Sequence, residues 1–274
     1  MMREKTLGRI DFKSLGFNVV LVIVLIILLS PILILFITSF LDKDHLSWPF
    51  DDFTYKWYIE VFKRPLWVRA FINSLIVASL TTVMTLVLCT PAAYVMSKRR
   101  SRIVDITRAF IASPIMIPPV MIGISLLIFL SRIGLRSSYF AIAFGHTLWA
   151  GPIVFITMTA VFERLNPIYA QVAQDLGASS FQAFWKVTLP MVKSGLVASI
   201  FLAFVLSTQE FIIALFLYVP KTIILPVEIY TAIRYELSPA ISAISVYLVA
   251  IVIVGLIVID RTIGIENIGF SGKG

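Results

Sequence analysis

The sequence has little charge, one cysteine and two histidines. Of its 274 residues only 14% are charged and 59% are hydrophobic, with a mean hydropathy of +0.97. A soluble domain of this size carries about 25% charged residues, so the deficit points to lipid as the main solvent. Cys89 is the one cysteine, which excludes an intramolecular disulfide; inside an apolar run it reads as a small buried apolar side chain. His45 and His146 are far apart and neither joins a cysteine, so no metal-binding pattern exists. The net charge of +8 does not indicate nucleic acid, because the basic residues fall between apolar runs and not on one exposed face.

Long hydrophobic runs are what the chain has in abundance. Crossing a bilayer takes about 20 mostly apolar residues in a helix. Six runs meet that length: Phe17–Phe40, Ala70–Met96, Ala109–Leu130, Ser138–Phe162, Leu196–Tyr218 and Ile241–Ile259. The first is too long for the apolar core of a signal peptide, and no small-residue cleavage pattern follows it. Arg3, Lys5, Arg9 and Lys13 precede it, and the cluster Lys98, Arg99, Arg100 and Arg102 follows the second run. Positive charge is retained in the cytoplasm. That rule predicts cytoplasmic tails at 1–16 and 261–274 around an all-α, six-helix membrane domain over 17–260.

The outer loop 41–69 is rich in aromatics, including Trp48, Phe50, Phe53, Tyr55, Trp57, Tyr58, Phe62 and Trp67. Such rings favour the headgroup level, so a helix lying along the outer surface is expected there. The third run holds Pro114, Pro118, Pro119 and Gly123, which predicts a kinked or interrupted helix. Broken backbone survives in a membrane only beside protein or a water-filled cavity. Pro118 and Pro119 are therefore candidates to line a pathway, the alternative being a kink used for packing. Glu210 is the acidic residue well inside a run, flanked by Ser207 and Gln209. A carboxylate there must face protein or water. It either lines a pathway or makes a structural hydrogen bond or ion pair.

The loop 163–193 carries the densest local signals. Asn166 can cap a helix beginning at Pro167, Gly177 suits a left-handed terminator, and Ser179 with Gln182 forms a capping-box pattern. Pro190 marks where the chain turns back to the membrane. These signals describe two short helices with a tight bend. Ala170 and Ala173, three apart, would share a face that a partner can approach closely.

This stretch resembles the loop signature of permease subunits of binding-protein-dependent ABC importers: Glu-Ala-Ala, three residues, Gly, nine residues, Ile-x-Leu-Pro. The match runs Gln171, Val172, Ala173, then Gly177, then Val187, Leu189 and Pro190. Gln171 replaces the usual glutamate and Val172 the usual alanine. Asn73-Ser74-Leu75, Pro91-Ala92-Ala93-Tyr94, Pro118-Pro119, Gly145-His146-Thr147, Ser207 to Phe211 and Leu225-Pro226 also look like that family.

The resemblance implies a type I importer permease fold in the bacterial inner membrane, one half of a pathway shared with a second homologous permease. The loop, including Ala170 and Asp175 to Gly177, would couple to two cytoplasmic ATPase subunits. ATP and magnesium would bind those subunits, since this chain lacks a phosphate-binding Gly-x-x-x-x-Gly-Lys-Ser/Thr loop and itself needs no cofactor. A periplasmic or lipid-anchored binding protein would deliver the solute. The segments Ser207 to Phe211, Leu225-Pro226 with Ile229-Tyr230, and Ser238-Pro239 look most similar to the spermidine/putrescine branch, which also includes permeases for opines and phosphonates. A secondary transporter would need ion-binding groups in several spans, and an intramembrane enzyme a nucleophile–base pair or paired carboxylates. The sequence offers only His146 and Glu210 toward the first and nothing toward the second.

Overall fold

The computed structural model describes residues 12–43, 52–235 and 237–263. The outermost parts of both tails, and Trp48 and Phe50 of the outer loop, lie outside them. Every regular element among the described residues is helical: α1 (Phe12–Thr38), α2 (Lys56–Lys63), α3 (Pro65–Ser97), α4 (Arg102–Ala112), α5 (Pro119–Arg132), α6 (Tyr139–Glu163), α7 (Ile168–Asp175), α8 (Ser180–Ala183), α9 (Leu189–Met191), α10 (Lys193–Gln209), α11 (Ile212–Leu217), α12 (Leu225–Tyr235) and α13 (Pro239–Ile263). Four of these, α1, α3, α6 and α13, are long and apolar enough to cross a membrane alone. The number rises to the six expected if each of two bent pairs is counted as one span.

The first pair is α4 and α5, which meet at 98°. The chain between them passes through one tight turn at Ser113–Met116, and Pro118 holds an extended conformation. Proline at 114, 118 and 119 removes three successive opportunities for helical hydrogen bonding, so the predicted interruption is a complete break. In the second, the segment Ser180–Met191 meets α10 at 80°. The run Leu196–Tyr218 was expected to be one continuous span, but α10 stops at Gln209. Tyr218 ends α11, and α12 then forms between spans five and six, where no helix was expected.

The chain divides into two compact units, 1–61 with 236–248 and 62–235 with 249–274. In the first, no residue in the apolar window of α1 is buried among the described residues. Its end is tied down by polar contacts: Thr38 donates to Ser242 Oγ at 2.9 Å, and Ser39 Oγ lies 2.6 Å from the Tyr58 hydroxyl. Trp57 is buried, and its indole Nε1 donates to the Leu41 carbonyl at 2.7 Å. Phe53 and Tyr55 remain exposed. The aromatic loop thus mixes exposed rings with an internal strut, because a buried indole needs an acceptor and Leu41 supplies one.

In the second unit α3, α6 and α10 pack around a core that includes Cys89, Ala93, Val154, Phe155, Met158, Phe162 and Ala203. Glycine allows the closest approaches. A Cβ on Gly195 would stand 2.6 Å from Val161, and one on Gly145 would stand 2.6 Å from Ile213. Two neighbouring side chains of α3 hold the segment before α12. Asn73 Nδ2 donates to the Ile223 carbonyl at 2.7 Å, and Ser74 Oγ accepts from Leu225 N at 2.8 Å. Tyr139 donates to Asn73 Oδ1 at 2.9 Å, so the amide is satisfied at both ends.

Candidate functional site

The loop between α6 and α10 folds as an elbow built from local rules. Asn166 Oδ1 accepts from Ile168 N at 3.0 Å, opening α7. The helix ends in a Schellman motif: Gly177 N donates to Gln174 O at 2.9 Å and Ala178 N to Ala173 O at 3.0 Å. Gly177 takes φ +92°, the left-handed region expected of it. Only Ala178 intervenes before the next cap. Ser179 Oγ accepts from Gln182 N at 3.2 Å, and Gln182 Oε1 accepts from Ser179 N at 3.0 Å, the predicted capping box.

Beyond α8 the chain forms a π turn over Phe184–Thr188, closed by Leu189 N donating to Phe184 O. Pro190 accounts for it. Its ring clashes with the carbonyl four residues back and it has no N–H to offer, so the helix widens by one residue just before it. The turn towards α10 therefore falls at Val192, two residues later than Pro190 itself suggests. Phe184 packs against Tyr94 of α3 and Phe162 of α6, with ring centroids 4.7 and 6.4 Å away. The elbow is thereby wedged between the ends of two spans. Arg108 of α4 braces the same region, donating to Met96 O at 2.6 Å and pairing with Glu163 at 3.0 Å.

The two alanines do not face outward. Ala170 is 5% exposed and Ala173 half-buried, so the close approach that small side chains permit is made by this chain itself. The outer surface of the elbow consists of Tyr169, Val172, Leu176 and, past the bend, Phe181 and Trp185. Leu176 is 85% exposed, a large apolar side chain with no cover in its own chain. Gln171, Asp175 and Pro190 are also exposed, while Val187 and Leu189 are half-buried. Gln171 and Gln174 border a cavity of about 510 Å³ between α7 and the ends of α3 and α6, lined also by Tyr94, Lys98 and Thr188.

A second cluster lies inside the bundle. Ser207 and Glu210 come together with His146 of α6 and Thr81 of α3. His146 Nδ1 lies 2.8 Å from Ser207 Oγ, and Ser207 Oγ lies 3.2 Å from Thr81 Oγ1. Glu210 Oε2 accepts from Ile213 N at 2.9 Å. The carboxylate therefore caps α11 and makes the break in span five, which has no proline to signal it. His146 is wholly buried; its Nε2 has no hydrogen-bond partner among the described residues and lies 3.6 Å from Glu210 Oε2. Gln209 is exposed at the last position of α10, and Pro118 and Pro119 stand at the separate break of span three. Thr81 and the capping role of Glu210 were missed in the sequence. An acid two residues before an Ile-Ile-Ala-Leu run was the available signal.

A buried carboxylate outside the spans also went unnoticed. Glu228 of α12 is 6% exposed, and burial raises its pKa, opposed by the Arg69 charge and the Trp67 indole.

The elbow thus sits on a helical chain with four to six candidate membrane spans, which is the architecture of a multi-pass membrane protein. Residues 86–265 match the family described as "Binding-protein-dependent transport system inner membrane component", and the chain belongs to that family. It is 26% identical over 227 residues to the spermidine/putrescine transport system permease protein PotC of Escherichia coli, covering 83% of this chain and 86% of the relative. It is also 31% identical over 200 residues to a "Probable molybdenum ABC transporter permease protein" of Haloferax volcanii, covering 70% and 72%. The fold matches a chain from the crystal structure of a bacterial ABC transporter involved in import of the acidic polysaccharide alginate. That match has a TM-score of 0.76 at 22% identity and covers 95% of this chain and all of the other. The protein is thus an inner-membrane ABC importer permease related to the spermidine/putrescine branch, a transport subunit and not a catalyst.

Proposed function

We propose that this chain forms half of the pathway for a polyamine such as spermidine or putrescine, driven by ATP bound with magnesium on two separate ATPase subunits. A second homologous permease completes the pathway, and a periplasmic or lipid-anchored binding protein delivers the solute. Both termini lie in the cytoplasm, so the elbow does too.

The elbow carries the coupling assignment. Tyr169, Val172, Leu176 and Phe181 present an exposed apolar surface, and such a surface fits a groove on a soluble partner. Phe184, locked against Tyr94 and Phe162, gives that partner a rigid lever on spans two and four. Gln171 and Val172 change the surface chemistry of the signature but not the two caps that shape the bend.

The polyamine assignment rests on the longer coverage of the spermidine/putrescine relative and on the resembling segments Ser207 to Phe211, Leu225-Pro226 with Ile229-Tyr230, and Ser238-Pro239 followed by Ala243. It does not rest on Glu210 as a counter-ion, because that carboxylate is engaged by backbone N–H of α11. The test is uptake of labelled spermidine by proteoliposomes holding the whole complex. Saturable uptake that requires ATP and the binding protein is expected. Equal uptake by this chain alone would end the importer reading, and competition by molybdate but not by putrescine would end the polyamine reading. Labelling of a cysteine placed at Ser180 from outside the cell would overturn the orientation; buried Cys89 does not interfere.

A further inference from the structure

We propose that α4 is an in-plane helix whose basic leader, Arg99, Arg100 and Arg102, holds the headgroups of anionic phospholipids at the cytoplasmic face. The proposal rests on the orientation given above.

The 98° bend means that α4 and α5 cannot both cross the bilayer. Helix α5 carries no charge before its last residue, Arg132, whereas α4 carries Arg102, Asp105 and Arg108. So α4, the charged member of the pair, lies along the surface. Its own pattern agrees. Ile103, Ile106 and Phe110 recur at helical spacing and are 73%, 61% and 77% exposed, forming one uncovered apolar stripe. Arg108 lies on the opposite face, where it pairs with Glu163 and Met96 O.

Arg99, Arg100 and Arg102 are all exposed and make no ion pair among the described residues. The neighbouring Lys98 is engaged with the Tyr94 hydroxyl and ring. The acids nearby are Asp105 on α4 and Glu163, and Arg108 already neutralises Glu163. The region therefore keeps a strong positive excess beside an apolar stripe. An anionic lipid surface offers the complement to both, phosphates for the guanidinium groups and acyl chains for the stripe. Because Arg108 ties the same helix to the roots of the elbow, lipid bound here steadies the lever that the ATPase moves.

The test uses the complete transporter in bilayers of phosphatidylcholine alone or with phosphatidylglycerol. Solute-stimulated ATP hydrolysis should be several-fold higher with phosphatidylglycerol, and high salt should erase the difference as the screening length falls from about 10 Å at 0.1 M to about 3 Å at 1 M. Replacing Arg99, Arg100 and Arg102 together by Gln should remove the response. An unchanged response in that variant, or wild-type indifference to lipid charge, overturns the proposal. A photoreactive residue at Phe110 in the otherwise wild-type complex gives a reading independent of folding. Phospholipid adducts are expected, and adducts to another subunit alone would show that protein covers the stripe. Accessibility of Ser180 measured on the same vesicles separates a failure of orientation from a failure of lipid binding.

Discussion

Gly177→Ala would add one methyl group at the bend, and its cost is calculable because little else changes. The new Cβ would meet nothing within 4 Å, so no clash arises. What remains is backbone strain. At φ +92° an L-residue sits in the left-handed region at a cost of about 1–2 kcal/mol. That corresponds to roughly a 5–30-fold shift away from the bent conformation. Asn tolerates left-handed backbone far better than Ala, so Gly177→Asn should retain most of the function although its side chain is larger. The assay is solute-stimulated ATP hydrolysis by the reconstituted complex, with uptake measured in parallel. The Ala variant should lose stimulation and uptake together while the protein's melting temperature hardly moves, since the strained loop is exposed. Equal impairment of both variants would show that bulk at the surface matters and not backbone shape. Full activity of both would refute the idea that this bend transmits force.

Three further outcomes follow from the packing. Glu210→Gln keeps an acceptor for Ile213 N and should melt near the wild-type temperature, whereas Glu210→Ala strands that N–H and should cost about 1–3 kcal/mol in a thermal melt in detergent. Equal stability of the two variants would remove the capping role. Gly145→Val would drive its branched Cβ into Ile213 and Leu217, both fully buried, and should sharply lower the yield of folded protein on gel filtration. Trp57→Phe keeps the ring but leaves the Leu41 carbonyl without its donor; a loss of about 1 kcal/mol is expected in the same melt.

The parts of the molecule that the sequence revealed are those written in neighbouring residues. Gly177, Ser179 and Gln182 act within six positions of one another, so their bend and cap were legible and the bonds are present. The prolines of span three act on their own backbone and were equally plain. What escaped notice depends on separation. The contacts of His146 with Ser207 and of Asn73 with Ile223 join residues 61 and 150 positions apart, and no local pattern encodes them. Ala170 was misjudged for a related reason: spacing puts two alanines on one face but does not say what that face meets. The π turn needed Pro190 to be read for the damage it does upstream, and α12 is too short and mixed in character to announce itself.

The helices α5 and α11 each begin at a break in the chain, one made by proline and the other capped by a carboxylate, and they pack on each other. A Cβ on Gly123 of α5 would reach within 2.7 Å of Phe216 of α11, so the pair is closely fitted. Two severed rods clamped together need bend no helix in order to shift. Motion at the breaks demands only rotation about a few backbone bonds, and the hydrogen-bonded lengths on either side can stay rigid throughout a working cycle.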